Sequence, residues 1–188
     1  MKNIYKITFL LSGLLCFGSS TYAQKTYINQ EWENTSGSIG AIQRTASAID
    51  NNENLIVVSN TINSSNNTDV LVTKYSPDGV ILWQQTYNGS ANGNDYGVQL
   101  KINNSNEIFI AATLEESTSL DFGILKYSPN GNLIWSNSWN GSASGVDISA
   151  DIDIDNSGNI YLVGGSESSN NFSDYAIVKF NSDGVYQW

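Results

Sequence analysis

The stretch DVLVTKYSPDGVILW, from Asp69 to Trp83, is written three times in this chain. It returns as DFGILKYSPNGNLIW from Asp121 to Trp135 and as DYAIVKFNSDGVYQW from Asp174 to Trp188, 52 and then 53 residues farther on. A regular period of this length is typical of solenoids, propellers and other arrays of one structural unit. The repeat therefore predicts the architecture before any single segment is considered.

Each repeat contains four short runs with the composition of β-strands, which we label A to D. In the second repeat they are Gly97 to Ile102, Ile108 to Thr113, Phe122 to Tyr127 and Leu133 to Trp139. The C-to-D connections contain Pro-Asp-Gly at 77–79 and Pro-Asn-Gly at 129–131. Proline presets φ for a tight turn, and glycine accepts the left-handed conformation that follows. With no helical periodicity anywhere, we predict an all-β protein built of four-stranded antiparallel blades.

Apolar residues occupy both faces of strand C, with Val70 and Val72 on one face and Leu71 on the other. A sheet with two apolar faces has to be covered on both sides. A radial array meets this need, because each blade lies between two neighbours. We therefore predict a β-propeller-like array of about three blades that forms an incomplete ring. The predicted innermost strands are Ala46 to Ile49, Gly97 to Ile102 and Ile148 to Ile154.

The predicted boundaries divide the 188 residues into a leader and the array. They are a signal peptide at 1–23, a partial propeller at 24–188, an orphan D-type strand from Lys25 to Trp32, and blades at about 41–87, 96–139 and 147–188. Closed propellers have four to eight blades. Two alternatives follow: the chain is a truncated fragment of a longer protein, or two copies close a six-bladed ring in which Lys25 to Trp32 of one copy completes a blade of the other.

The first residues have the pattern of a secretory signal peptide. Lys2 and Lys6 precede an apolar run from Ile7 to Phe17, and small residues lead to Ala23. The run is too short for a membrane-spanning helix, which needs about 20 residues. A lipoprotein is the lesser alternative, because Leu15 before Cys16 is bulky where lipoprotein processing needs a small residue. We expect a mature chain without cysteine or transmembrane segment, secreted or held at the outer surface of a Gram-negative bacterium, with the periplasm as an alternative.

The repeat resembles a known family. Its run of aspartate, alternating apolar residues, lysine and an aromatic, Asp/Asn-Gly and tryptophan is followed by an Asn-Gly-Ser loop and by DNSGNIYLVG at 155–164. Together these features resemble the bacterial β-propeller repeat family called SBBP, with kelch, NHL-like and Delta-60 repeats as neighbours in pattern. The resemblance covers nearly all of the mature chain. It implies a bladed architecture on exported bacterial proteins, usually without an assigned activity.

Composition excludes several functions. The chain has 18 acidic and 8 basic residues, which argues against nucleic acid as a partner, because binding to phosphates depends on clustered cations. It has no histidine, and its one cysteine lies in the leader, so nucleophilic triads and most zinc sites are excluded. Carboxylate pairs for glycoside hydrolysis remain open on composition. We predict that the protein is not an enzyme, with an enzyme acting on glycans as the least favoured alternative.

Two aspartates are the candidate ligand-binding residues. Asp95 and Asp147 lie 52 residues apart, each just before an A strand. The competing interpretation is that they cap the turn into that strand, because Asp hydrogen-bonds to nearby backbone. No cofactor is predicted. Calcium at the alternating aspartates from Asp151 to Asp155 is the lesser alternative, because Asn156 and Leu162 replace the glycine and glutamate of an EF-hand loop.

The expected function follows from loop length. The B-to-C and D-to-A connections are predicted to be the long ones, to be rich in Asn, Ser and Gly, and to share one rim of the array. Variable loops on a rigid scaffold commonly bind ligands. We therefore expect a binding or adhesion scaffold at the cell surface, with a glycan or a protein as partner. The alternative is a structural spacer without a ligand.

Overall fold

A computed structural model of the protein describes residues 45–117, 119–169 and 172–188. All described elements are β-strands. Their bounds are β1 Ala46–Ile49, β2 Leu55–Ile62, β3 Thr68–Tyr75, β4 Ile81–Tyr87, β5 Tyr96–Ile102, β6 Ile108–Glu116, β7 Ser119–Tyr127, β8 Leu133–Trp139, β9 Asp147–Ile154, β10 Ile160–Glu167 and β11 Ser173–Phe180. Within the described ranges there is no helix that could cross a membrane.

The strands form three separate antiparallel sheets in which neighbours in the chain are neighbours in space. The orders are β1-β2-β3-β4, β5-β6-β7-β8 and β9-β10-β11. We call these sheets blades 1, 2 and 3. Blade 1 packs against blade 2, and blade 2 packs against blade 3. The predicted all-β array of four-stranded blades is confirmed, with a three-stranded third sheet, and the three blades do not close into a ring.

Two apolar clusters lie between the blades. The first joins Ile56 and Val72 of blade 1 to Ile110 and Tyr127 of blade 2. The second joins Phe109, Phe122 and Ile124 of blade 2 to Leu162 and Phe180 of blade 3. Strand β6 contributes to both clusters and is buried from Ile108 through Leu114. The prediction that both faces of a blade are apolar because both are covered is therefore correct for blade 2.

Tryptophan and glycine connect one blade to the next. The Trp83 indole N–H donates to the Pro129 carbonyl at 3.1 Å. Gly131 has φ +84°, and a β-carbon on it would lie 2.8 Å from the indole of Trp83. Gly184 faces Trp135 in the same way at the next interface. Glycine in these turns therefore serves both the left-handed backbone and the close approach of an aromatic ring from the preceding blade.

The B-to-C connections are shorter than predicted. The predicted loop from Asn60 to Thr68 is reduced to residues 63–67, since β2 continues to Ile62 and β3 begins at Thr68. The predicted loop from Glu115 to Leu120 is mostly strand, because β6 and β7 stay paired out to Glu116 and Ser119. In β6 the antiparallel ladder extends past Leu114, the last apolar residue of the strand, which composition alone does not indicate. The long connections are therefore the two D-to-A loops, 88–95 and 140–146.

Several predictions fall outside the described residues. They are the signal peptide at 1–23, the orphan strand at 25–32 and the beginning of blade 1 at 41–44. They remain predictions.

Candidate functional site

The two D-to-A loops lie at the same end of the array as the connections that follow β2, β6 and β10. We call this end the loop rim. The opposite end, which carries the A-to-B and C-to-D turns, is the turn rim. Antiparallel meanders place alternate connections at opposite ends, so every blade contributes to both rims.

Asp95 organises the first D-to-A loop. Its side chain is fully buried and accepts hydrogen bonds from the Gly89 N–H and, at 3.2 Å, from the Glu115 N–H. The Asp95 N–H donates to the Thr68 carbonyl at 2.7 Å. A β-carbon on Gly89 would lie 3.1 Å from the carboxylate. The loop is thus folded around one buried carboxylate that holds its first residue and connects it to two strands.

Asp147 occupies the matching place in the second loop. It is also fully buried, and its Oδ2 accepts the Gly141 N–H at 2.6 Å. Its Oδ1 has no hydrogen-bond partner among the described residues. The two predicted site residues therefore lie where an Asp that caps the approach to strand A would lie. Whether they also contribute to binding remains a prediction.

A second acidic residue braces each loop, and the sequence interpretation missed it. Glu115 accepts the Asn94 N–H at 2.7 Å, and Glu167 accepts the Val146 N–H at 2.9 Å. The glutamate stem packs so closely on the loop that a β-carbon on Gly93 would lie 2.5 Å from Glu115. Glu115 and Glu167 are 52 residues apart, so the repeat itself contained the signal.

The tips of the two loops are exposed and closed by tight turns. The Asn92 N–H donates to the Gly89 carbonyl at 3.1 Å, and the Ser144 N–H donates to the Gly141 carbonyl at 2.9 Å. Asn92 and Ser144 both have positive φ, near +50°. Ser90 and Ser142 are exposed within these turns. Each loop thus has a buried acidic base and a small polar tip in a defined conformation.

Charge is distributed unequally between the two rims. The cations of the described ranges are Lys74, Lys101, Lys126 and Lys179, and all four lie next to turns of the turn rim. The described part of the loop rim carries acids without a cation. Burial raises the pKa of Asp95, and the nearby carboxylates of Asp69 and Glu116 raise it further. Burial likewise raises the pKa of Asp121, with Asp147 and Glu116 adding to the effect. The carboxylates of the three blades therefore interact across the loop rim.

The alternating aspartates of β9 are separate from this rim. Asp151 and Asp153 are exposed, and Asp153 pairs with Lys101 at 3.3 Å. The Asp155 carboxylate accepts hydrogen bonds from its own turn and from the Tyr161 hydroxyl. No group of three metal-ligating side chains occurs within the described ranges. Calcium binding by β9 therefore receives no support from the geometry of these residues.

Comparison with known families identifies the type of repeat. The family model described as "Domain of unknown function (DUF5122) beta-propeller" matches residues 156–185, which span β10, β11 and parts of the turns on either side. The repeat is of the β-propeller type. No curated protein matches the chain significantly. The match agrees with the bladed sheets, and it supports a propeller-type repeat family in general rather than the SBBP type in particular.

Proposed function

We propose that this β-propeller-type protein is an exported bacterial binding scaffold of the SBBP type that recognises a ligand with its loop rim. The proposal rests on one observation. Each of two loops, 52 residues apart, is braced by a buried Asp and by a Glu at equivalent positions of the repeat, while its polar tip is exposed. Fixing a loop before it binds reduces the entropy lost on binding. Export rests on the leader-like sequence at 1–23.

Charge narrows the ligand class. The loop rim has acids without a described cation, so phosphate, sulfate and other anionic groups would be repelled. Exposed hydroxyls and amides at the loop tips suit hydrogen bonding to sugar hydroxyls. We therefore propose a neutral or basic glycan as the ligand.

Two tip substitutions test the proposal on an array of neutral, basic and acidic glycans. Ala91→Arg and Ser142→Arg change exposed positions of the two loops without touching the buried carboxylates. Asn130→Arg, exposed in a turn at the opposite rim, is the matched control. The proposal predicts that each tip variant loses binding at least tenfold while the control binds like the unmodified chain. Equal binding by all three variants would contradict it.

A structural spacer is the second candidate, and burial favours it. Asp95 and Asp147 are both fully covered, and their hydrogen bonds are made inside the protein. If the rim has no ligand, the tip variants would change nothing on the array. Asp95→Asn and Asp147→Asn would then lower thermal stability as their only effect. The two candidates therefore differ in the response of the exposed tips.

A further inference from the structure

The three A-to-B turns, at 50–54, 103–107 and 155–159, are built alike. Each begins with a residue whose side chain accepts the N–H four positions farther on at 2.9 Å, namely Asp50, Asn103 and Asp155. Each has a left-handed backbone three positions after that first residue, at Glu53, Asn106 and Gly158. The turns of neighbouring blades can therefore be compared residue by residue.

The turns of blades 1 and 2 are joined by Asn51. Its N–H donates to the Oδ1 of Asn106 at 2.9 Å, and its Nδ2 donates to the Asn104 carbonyl at 3.0 Å. The carboxamide of Asn106 thus provides the acceptor for the backbone of the preceding blade. Two hydrogen bonds from one residue therefore connect these two turns at the turn rim.

The corresponding connection between blades 2 and 3 is not made. Asn104 occupies the position of Asn51, and Gly158 occupies the position of Asn106. Glycine has no side chain that could accept a hydrogen bond. Among the described residues, neither the Asn104 N–H nor the Asn104 side-chain amide has a hydrogen-bond partner. One difference between repeats of the same chain therefore leaves two donor groups free at this interface.

A cleft of about 540 Å³ lies between the turns of blades 2 and 3. Small-molecule sites are commonly clefts of about 300 to 1,000 Å³. Ile102 and Ile154 line it with partly buried apolar side chains, and Asn104, Ser105 and Asn156 line it with exposed polar ones. The cleft therefore offers apolar contact together with amide and hydroxyl groups.

The charges around the cleft favour a neutral ligand with a hydrogen-bond acceptor. Asp155 is the one carboxylate of its described lining, and a hydrogen bond from the Asn159 side chain, with others, holds the pKa of Asp155 below its ordinary value. An ionised carboxylate repels anions. The nearby Lys101 is paired with Asp153 at 3.3 Å. The free donors of Asn104 need an acceptor, which an ammonium group does not provide.

We propose that the cleft between the A-to-B turns of blades 2 and 3 binds a neutral N-acetylated sugar. The acetamido carbonyl accepts from the Asn104 N–H, as the Asn106 carboxamide accepts from the Asn51 N–H at the neighbouring interface. The acetyl methyl group contacts Ile102 and Ile154, and the exposed hydroxyl and amide groups of the two turns bind the sugar hydroxyls. This site lies at the rim opposite to the loops of the proposed function and does not depend on them.

Titration of the full-length chain with free monosaccharides tests the ligand class. The probe is N-acetylglucosamine; glucose lacks the acetamido group, and glucosamine has an ammonium group in its place. Nuclear magnetic resonance of the isotope-labelled chain should show N-acetylglucosamine shifting the Asn104 amide signals, with a dissociation constant at least tenfold lower than that of either control sugar. Equal binding of glucose or glucosamine, or no binding of N-acetylglucosamine, would contradict the proposal.

Gly158→Asn tests the position of the site by supplying the missing acceptor. Asparagine tolerates left-handed backbone, and Asn106 has φ +60° at the equivalent position. A β-carbon on Gly158 would lie 3.3 Å from the Ser182 β-carbon, so a shift of a few tenths of an ångström admits it. The new carboxamide should bind the Asn104 N–H and weaken the binding of N-acetylglucosamine at least tenfold. A folded variant that binds the sugar as tightly as the unmodified chain would overturn the proposal.

Asn104→Asp gives an answer that does not depend on Gly158→Asn. Asn104 is exposed, and the substitution replaces its amide donor by a carboxylate, so binding should again weaken at least tenfold. Asn52→Asp, also exposed at the turn rim, adds the same charge and should bind like the unmodified chain. Ala91→Arg and Ser142→Arg should bind N-acetylglucosamine normally, which separates this site from the loop rim. Unchanged binding by Asn104→Asp, or an equal loss in Asn52→Asp or in the loop variants, would overturn the proposal.

Discussion

The two rims of the array stabilise their acidic residues by different means. At the turn rim, carboxylates pair with lysines: Lys74 with Asp50 at 2.7 Å and Lys126 with Glu107 at 2.9 Å. At the loop rim, Asp95 and Asp147 accept backbone N–H groups instead. A buried carboxylate needs a partner in either case, since desolvation of an unpaired charge is costly. The turn rim therefore joins segments of the same blade with ion pairs, whereas the loop rim holds its own loops with buried carboxylates that accept backbone N–H groups.

The pKa values show the difference most clearly. Burial alone would raise the pKa of Asp50, but the Lys74 ammonium and hydrogen bonds from Asn54 and Asn52 lower it to about 2. Burial raises the pKa of Asp95, and its hydrogen bonds from Gly89 and Glu115 do not reverse that effect. The two aspartates thus respond to pH with opposite signs.

Replacement of Lys74, a buried lysine of the turn rim, should cause the largest loss of stability. Lys74→Met leaves the Asp50 carboxylate buried without its ion-pair partner, and it also removes a 3.2 Å hydrogen bond to the Pro129 carbonyl of the next blade. Breaking one side of a buried pair typically costs about 3 to 5 kcal/mol. We expect urea denaturation to show a loss of about 3 kcal/mol in the free energy of unfolding. A loss below about 1 kcal/mol would mean that the pair is not shielded from water.

Low pH should destabilise the protein because it protonates Asp50 at the turn rim. Because the folded pKa of Asp50 lies near 2 and its ordinary value is 3.8, its contribution is present above about pH 4 and is lost as pH falls toward 2. The shift corresponds to about 2 kcal/mol. Asp95 acts in the opposite direction, since a raised pKa favours the protonated folded state as pH falls. Urea denaturation at pH 6 and pH 2.5 should show a smaller acid loss for Asp50→Asn and a larger one for Asp95→Asn than for the unmodified chain.

Much of the fold could be predicted because the same pattern of strand and turn residues recurs every 52 to 53 residues. Strands β1 and β8 begin and end at the predicted residues, Ala46–Ile49 and Leu133–Trp139. Turn-forming residues follow β1 at 50–52 and flank β8 at 130–132 and 140–141. The predicted second strand of the second repeat ends at Thr113, whereas β6 continues to Glu116. The added residues Glu115 and Glu116 are polar and resemble a loop in composition, yet their backbone groups continue the ladder with β7. Register with a neighbouring strand is a property of two segments, which the composition of one segment does not contain.

The candidate site was predicted only in part, for a related reason. The spacing of Asp95 and Asp147 indicated a repeated role, and the structure places both at the base of equivalent loops. The second acidic residue that braces each loop lies 20 residues farther along, at Glu115 or Glu167, at the end of a strand rather than in the same loop. Only the fold brings these glutamates to the loops. A search of this chain for acidic residues that recur at the repeat spacing of 52 residues would have found them.

Replacement of Asp95 or Asp147 by asparagine should lower stability by an intermediate amount, and the two losses should differ. The Asp95 carboxylate accepts two backbone N–H groups, whereas Asp147 accepts one and has a second oxygen without a described partner. An amide cannot accept with its nitrogen, and an unsatisfied buried donor costs about 1 to 3 kcal/mol. Thermal and urea unfolding should show a loss of about 2 kcal/mol for Asp95→Asn and about 1 kcal/mol for Asp147→Asn. Equal losses would mean that the two loops are braced alike.

The smallest loss of stability should come from an exposed ion pair of the turn rim. Lys101 and Asp153 are joined at 3.3 Å across the interface of blades 2 and 3, but about half of the lysine side chain and most of the aspartate side chain are exposed. Exposed pairs typically contribute less than about 1 kcal/mol and are screened by salt. Lys101→Met should therefore lower the free energy of unfolding by only a small fraction of the loss for Lys74→Met in dilute buffer, and by less in 1 M sodium chloride. Comparison with Lys74→Met under the same conditions separates burial from charge, because both variants delete one lysine from the same rim. If the two losses were equal, the contrast between the rims would reflect their net charge rather than the burial of individual pairs.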